Sequence, residues 1–172
     1  AVTDKKKGAR GGISAFLVDK GTPGFNVLRR IPMLGGQFTY EVALENCLIR
    51  VRTRSGTVRP VFAPMPIRLS TRRLQMASWS IGMAQRALDM MLEYAPQRVV
   101  FGEPLANRQA VQWWIADAYT RIKAAKLMTY ETAWKLDTQA DVRTEVSAVK
   151  AYATEMAHEV RDQAMQVYGA MG

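Results

Sequence analysis

From residue 67 onward, apolar side chains recur at alternating spacings of three and four. Leu74, Ala77, Ile81, Ala84, Leu88, Met91 and Ala95 form one such stripe, the signature of a helix with a single buried face. Val111, Ile115, Ala118, Ile122 and Ala125 predict a second helix over 105–136, and Val146, Val149, Ala153, Met156, Val160 and Val167 predict a third. Pro96, Gly102 and Pro104 interrupt the pattern between the first two, and Asp141 is placed to cap the third. Long helices joined by short connections pack as antiparallel neighbours, and three of them leave an open groove for a fourth helix or a partner subunit.

Before residue 67 the period is different. Ile13-Ser-Ala-Phe-Leu-Val18 is a β-prone run, and Gly21-Thr-Pro-Gly24 puts Pro and Gly at the centre of a type II turn. Phe25–Ile31 and Tyr40–Leu44 alternate imperfectly around Gly35-Gly36 and predict two more strands. So few strands cannot cover both faces of a sheet, so partner strands are expected upstream. The expected class is α+β, part of a β-domain followed by an incomplete helical bundle. The opening on Ala1-Val-Thr-Asp, without Met, reads as that of a fragment.

Composition narrows this picture only modestly. With 48% hydrophobic residues the chain belongs to the globular class, and its one cysteine, Cys47, forbids an intrachain disulfide and suits a reducing compartment. No apolar run approaches the length of a membrane span and residues 1–20 lack a signal-peptide layout, so a soluble, cytoplasmic protein is expected. The net charge of +9 fits a nucleic acid, an anionic surface or a phosphorylated cofactor equally well. Arg50, Arg52, Arg54 and Arg59 supply nearly half of it from one segment without an acidic residue.

Several kinds of chemistry lack support. Glu155 and His158 have the Glu-x-x-His spacing of bundle metal sites, but such a site needs two copies and His158 is the only histidine. A Ser-His or Cys-His nucleophile fails for the same reason. No nucleic-acid motif is present, and Trp79, Trp113, Trp114 and Trp134 all lie in helical segments, where packing in the core or at an interface is the ordinary explanation. A basic helical module binding nucleic acid or protein stands as the alternative of a different class. The strongest local signal is Arg98-Val-Val-Phe-Gly-Glu-Pro104 followed by Gln109. There a guanidinium precedes an aromatic and a Gly-x-Pro break, a combination suited to clamping phosphate beside a ring. Gln166-Val-Tyr-Gly-Ala-Met-Gly172 ends the third helix in a glycine turn, either an ordinary helix cap or an anion site.

In order and spacing these landmarks resemble the acyl-CoA dehydrogenases. The match runs through Ile13–Val18, Gly21-Thr-Pro-Gly-Phe25, Tyr40–Cys47, Arg73 ahead of Gly82-Met-Ala-Gln-Arg-Ala-Leu88, the Arg98 segment with Gln109, and Gln166-x-x-Gly-x-x-Gly172. The resemblance implies that residues 1–55 are the later part of the family's middle β-domain. Residues 62–172 would be the first three helices of an antiparallel four-helix C-terminal domain. The implied reaction is α,β-desaturation of an acyl-CoA thioester in fatty acid metabolism: a glutamate takes the α-proton, hydride passes to FAD, and electrons leave to an electron-transferring flavoprotein. It also implies a homodimer or homotetramer with FAD at the subunit interface. Carried over position by position, Arg98 binds the pyrophosphate of a neighbouring subunit's FAD and Phe101 packs beside that cofactor. Gln109, Gln166 and Gly169 contact its adenosine diphosphate portion, and Arg73 lines the acyl-CoA site.

The chain also departs from the family's pattern. Ala170 replaces the second glycine of the usual pair, and Val100 replaces a common hydroxyl or amide residue. The usual catalytic glutamate falls some two dozen residues past Gly172, and its alternative position is Arg72, so no catalytic base is assigned and the chain alone is expected to be inactive. Residues 48–61 lose the family's acidic, glycine-bearing linker without changing its length, the outcome expected of a compensated reading-frame shift. The other frames of the coding DNA test that expectation.

Overall fold

The computed structural model describes residues 2–8, 12–49, 64–138 and 141–172. Most of the arginine-rich segment therefore lies outside the described residues. The chain divides into two compact units, Ala1–Pro66 and Ile67–Gly172.

The first unit is built on one hairpin. Strand β1 (Phe25–Pro32) pairs antiparallel with β2 (Phe38–Leu44), from Phe25 opposite Leu44 to Pro32 opposite Phe38, with a bulge between Val27 and Arg29. The turn before β1 follows its sequence: the N–H of Phe25 donates to the Thr22 carbonyl at 3.0 Å, and Gly24 takes the φ of +83° that the third position of a type II turn requires. Across the hairpin Arg29 pairs with Glu41 at 2.6 Å and the Arg30 guanidinium lies 3.8 Å above the Phe38 ring. Val27, Leu28, Tyr40, Val42 and Leu44 remain exposed. A two-stranded hairpin open on both faces has little independent stability. The expected strand over 13–18 is reduced to isolated bridge positions at Ile13, which pairs with Val2, and at Phe16. A β-prone run becomes a strand only where a neighbour offers a ladder of backbone partners.

The second unit contains three long helices among the described residues: α1 (Pro64–Tyr94), α2 (Gln109–Asp137) and α3 (Arg143–Tyr168). All three predicted stripes face one core. Ala77, Ala84, Met91, Ala95, Val146, Ala153 and Met156 are completely buried, and Ile115 packs against the cluster at its edge. The pairs between helices define their directions. Arg121 bonds Glu159 and Lys135 bonds Glu145, so α2 and α3 run antiparallel. Arg73 donates to Ser147 at 3.1 Å while Tyr94 stacks on Tyr168 with ring centroids 4.2 Å apart, so α1 and α3 run parallel.

Three expectations need adjustment. Helix α2 starts at Gln109 rather than 105, because the N–H groups of Leu105 and Ala106 turn back to the carbonyls of Arg98 (2.7 Å) and Ala95 (3.0 Å). Core packing accounts for Trp114 only, since Trp79, Trp113 and Trp134 are 49%, 60% and 65% exposed. They lie off the buried stripes, on faces that this unit leaves uncovered. The N-cap of α3 is Val142, which makes no side-chain cap bond, rather than the expected Asp141; Asp141 stands one residue earlier, where its carboxylate accepts the N–H of Arg143 at 3.3 Å.

Candidate functional site

Between α1 and α2 the chain makes its smallest hairpin. Strands β3 (Val99–Val100) and β4 (Glu103–Pro104) are joined by Phe101 and Gly102, with φ of +55° and +82°. Two positive φ angles define the type I′ turn whose twist suits a two-residue loop. Glycine adopts such a φ freely, but phenylalanine is held there against its preference. The hairpin is closed beneath by the bonds from Leu105 to Arg98 and from Ala106 to Ala95, and the Arg108 side chain donates to the Val100 carbonyl at 3.0 Å. The strained residue carries its ring out of the fold, 94% exposed. Arg98, at the base of the hairpin, is exposed and has no ion-pair partner among the described residues.

This hairpin shares one end of the helical unit with the glycine turn. Arg98 donates its N–H to the Tyr94 carbonyl at 3.1 Å, and Tyr94 is the residue stacked on Tyr168, the last residue of α3. The Tyr168 hydroxyl adds a bond of 3.4 Å to the Met90 carbonyl. Gln166 is exposed two residues earlier, and Gln109 is exposed where α2 leaves the same end. Gly169 ends α3 at φ +65°, with its N–H donated to the carbonyls of Gln166 and Met165, so the turn is first of all a helix cap. Gly172 folds back so closely that a Cβ there would sit 2.4 Å from the Met165 carbonyl oxygen. Five expected site residues, Arg98, Phe101, Gln109, Gln166 and Gly169, thus gather at one end. Their donors are a guanidinium and two carboxamides, which suit the oxygens of a diphosphate, and the bare ring of Phe101 suits a flat ligand.

Arg73 lies elsewhere. It is twenty-one residues before Tyr94 on α1, about 30 Å at the helical rise of 1.5 Å per residue, and its guanidinium is turned to Ser147 on α3.

A match of residues 62–172 to the family model "Acyl-CoA dehydrogenase, C-terminal domain" decides the lineage. The chain belongs to the acyl-CoA dehydrogenase family. Over its whole length it is 39% identical to the (R)-benzylsuccinyl-CoA dehydrogenase of Thauera aromatica, covering 43% of that protein. It is 37% identical to CarC of Acetobacterium woodii, a subunit of a caffeyl-CoA reductase-Etf complex, covering 46% of it. Among solved structures, the FAD complex of PigA superposes with a TM-score of 0.85 at 29% identity, over 93% of this chain and 42% of that one. The chain thus spans less than half the length of these relatives.

In this acyl-CoA dehydrogenase chain, two supports of the site escaped sequence reasoning. The Tyr94–Tyr168 stack joins residues 74 positions apart, and nothing local marks either tyrosine. Arg108, which braces the hairpin through Val100, adjoins Gln109 but belongs to no spacing pattern. A trough of about 780 Å³ also runs along α1, lined by Trp79, Met83, Arg86, Met90 and, from α3, Arg161.

Proposed function

We propose that this chain is the nucleotide-binding part of an FAD-dependent acyl-CoA dehydrogenase that desaturates an acyl-CoA thioester between Cα and Cβ. The observation that carries the reading is the strained hairpin. A phenylalanine held at positive φ with its ring in solvent, close in sequence to an arginine that has no ion-pair partner among the described residues, has no value to the isolated fold and suits a ligand that is both flat and anionic. Arg98 would hold the pyrophosphate, Phe101 would cover the adjoining part of the cofactor, and Gln109, Gln166 and the Gly169 turn would orient the adenosine diphosphate portion. Bound there, FAD supplies the two-electron acceptor of the reaction.

The separation of Arg73 from this end adds a second element. A separation of about 30 Å along α1 between the residue lining the acyl-CoA site and the Arg98 end is consistent with the two ends of one chain serving different flavins. The reading therefore includes a homodimer or homotetramer in which each chain lends its Arg98 end to a neighbour's FAD. Within the whole enzyme, residues 1–55 belong to the middle β-domain and residues 62–172 to a C-terminal domain that a fourth helix completes. An electron-transferring flavoprotein accepts the electrons, and the enzyme works in the cytoplasm in fatty acid metabolism.

The test uses the full-length flavoprotein. Arg98→Ala removes one charge-assisted contact to the diphosphate and should weaken FAD retention about 10- to 100-fold, read as flavin lost on gel filtration. Retention unchanged by Arg98→Ala would overturn the assignment of the clamp. A purified protein that carries no flavin and oxidises no acyl-CoA would overturn the function.

A further inference from the structure

One cation in the second unit is unexplained by either its fold or the nucleotide end. From Pro64 to Leu88, helix α1 contains Arg68, Arg72, Arg73 and Arg86 and no acidic residue. Arg73 is directed across to α3 through Ser147. Arg72 is directed along its own helix instead: it donates to the Gln75 side-chain oxygen at 3.0 Å, and its guanidinium lies 5.1 Å from the centroid of the Trp79 ring. Among the described residues no carboxylate pairs with it. Below it, Met76, Trp79 and Met83 follow at the spacings of one helix face and are all exposed.

We infer that Arg72 selects acyl-CoA substrates whose acyl group carries a second, free carboxylate. This rests on the acyl-CoA dehydrogenase reading, in which Arg72 holds the family's alternative position for the catalytic glutamate and so faces the acyl group. The chemistry next to the guanidinium decides which anion it meets. A phosphate of the CoA moiety brings ribose and polar amides with it, whereas Arg72 is followed along α1 by two thioethers and an indole. That surface fits the hydrocarbon or aryl body of an acyl group ending in a carboxylate. The Trp79 face already orients the guanidinium, whose planar fork matches two carboxylate oxygens, so little further ordering is needed on binding. A neutral acyl terminus would instead leave the arginine desolvated and unpaired, which penalises ordinary monocarboxylic thioesters at this position.

The test is a matched series with the full-length, FAD-loaded enzyme. Succinyl-, glutaryl-, adipyl- and suberyl-CoA are each compared with the monocarboxylic thioester of the same carbon count, following flavin bleaching without oxygen. Equilibrium binding of the same thioesters to the flavin-free protein gives a second readout. The wild type should favour the dicarboxylic member at the preferred length. Arg72→Met should lower the ratio of the two kcat/KM values about 10- to 100-fold, and Arg72→Lys should restore part of it. The inference is overturned if the wild type favours the monocarboxylic member at every length. It is equally overturned if Arg72→Met lowers both members alike, the result expected of an arginine that only holds a covering protein segment. Flavin that no thioester bleaches would defeat the dehydrogenase reading instead, and is distinguishable from both.

Discussion

Replacing Phe101 by glycine separates the energetics of the hairpin from its use. At φ +55° a residue with a Cβ sits in the left-handed region, at a cost of about 1–2 kcal/mol. Glycine removes that cost and enlarges the entropy of the unfolded chain by about 0.5–1 kcal/mol. Because the ring is 94% exposed, truncating it forfeits almost no burial. The balance predicts that Phe101→Gly stabilises the helical unit by about 0.5–1 kcal/mol, a rise of roughly 1–4 °C in Tm. Phe101→Ala keeps the strain, loses the ring and should leave stability near the wild-type value, so the glycine–alanine difference isolates the backbone term. The assay is denaturant unfolding of this chain followed by far-ultraviolet circular dichroism, with thermal melts alongside. In the full-length flavoprotein both variants should lose FAD more readily, since both lack the ring. A lower midpoint for Phe101→Gly than for Phe101→Ala would refute the argument, because the backbone would then not be strained in the way described.

Two further outcomes test the rest of the unit. Met91 is completely buried at the centre of the core, so Met91→Ala should cost about 2–5 kcal/mol, read as a lower denaturant midpoint. Glu159 is held below its ordinary carboxyl value of 4.5, first by the hydrogen bond from Arg121 and then by its charge. A lowered folded pKa means that the pair stabilises fully above the ordinary value and loses its contribution as pH falls through the folded one. The pair is half-exposed on the Glu159 side and is worth at most about 1 kcal/mol. Glu159→Gln should therefore be slightly less stable near neutrality and converge with the wild type in acid. Parallel stability curves from pH 7 down to the acid transition would show that the pair contributes nothing.

How much of this could be foreseen differs by element. The stripes of Leu74 to Ala95, Val111 to Ala125 and Val146 to Val167 define three helices and their buried faces, because a helix that packs on one side must repeat its apolar residues with its own period. Local rules likewise place the type II turn at Gly24 and the glycine end of α3. The run Ile13–Val18 shows the limit of such rules: its β-propensity is clear, but a strand needs a neighbour and propensity supplies none.

The sequence by itself determined the family and the three helices, and it singled out Arg98, Phe101, Gln109, Gln166, Gly169 and Arg73 as candidates. Only the tertiary structure decided how these residues are grouped. Five of them meet because parallel α1 and α3 are joined by the Tyr94–Tyr168 stack, while Arg73 stays near the other end of α1. Tertiary packing also decided that Phe101 is strained and bare, that three of the four tryptophans lie outside the core, and that Arg72 rests on Trp79 without an acidic partner among the described residues. The physical reason is the range of the forces involved. Periodicity, capping and turn chemistry act over a few neighbouring residues, whereas direction, stacking and exposure depend on which helices pack together across seventy or more positions.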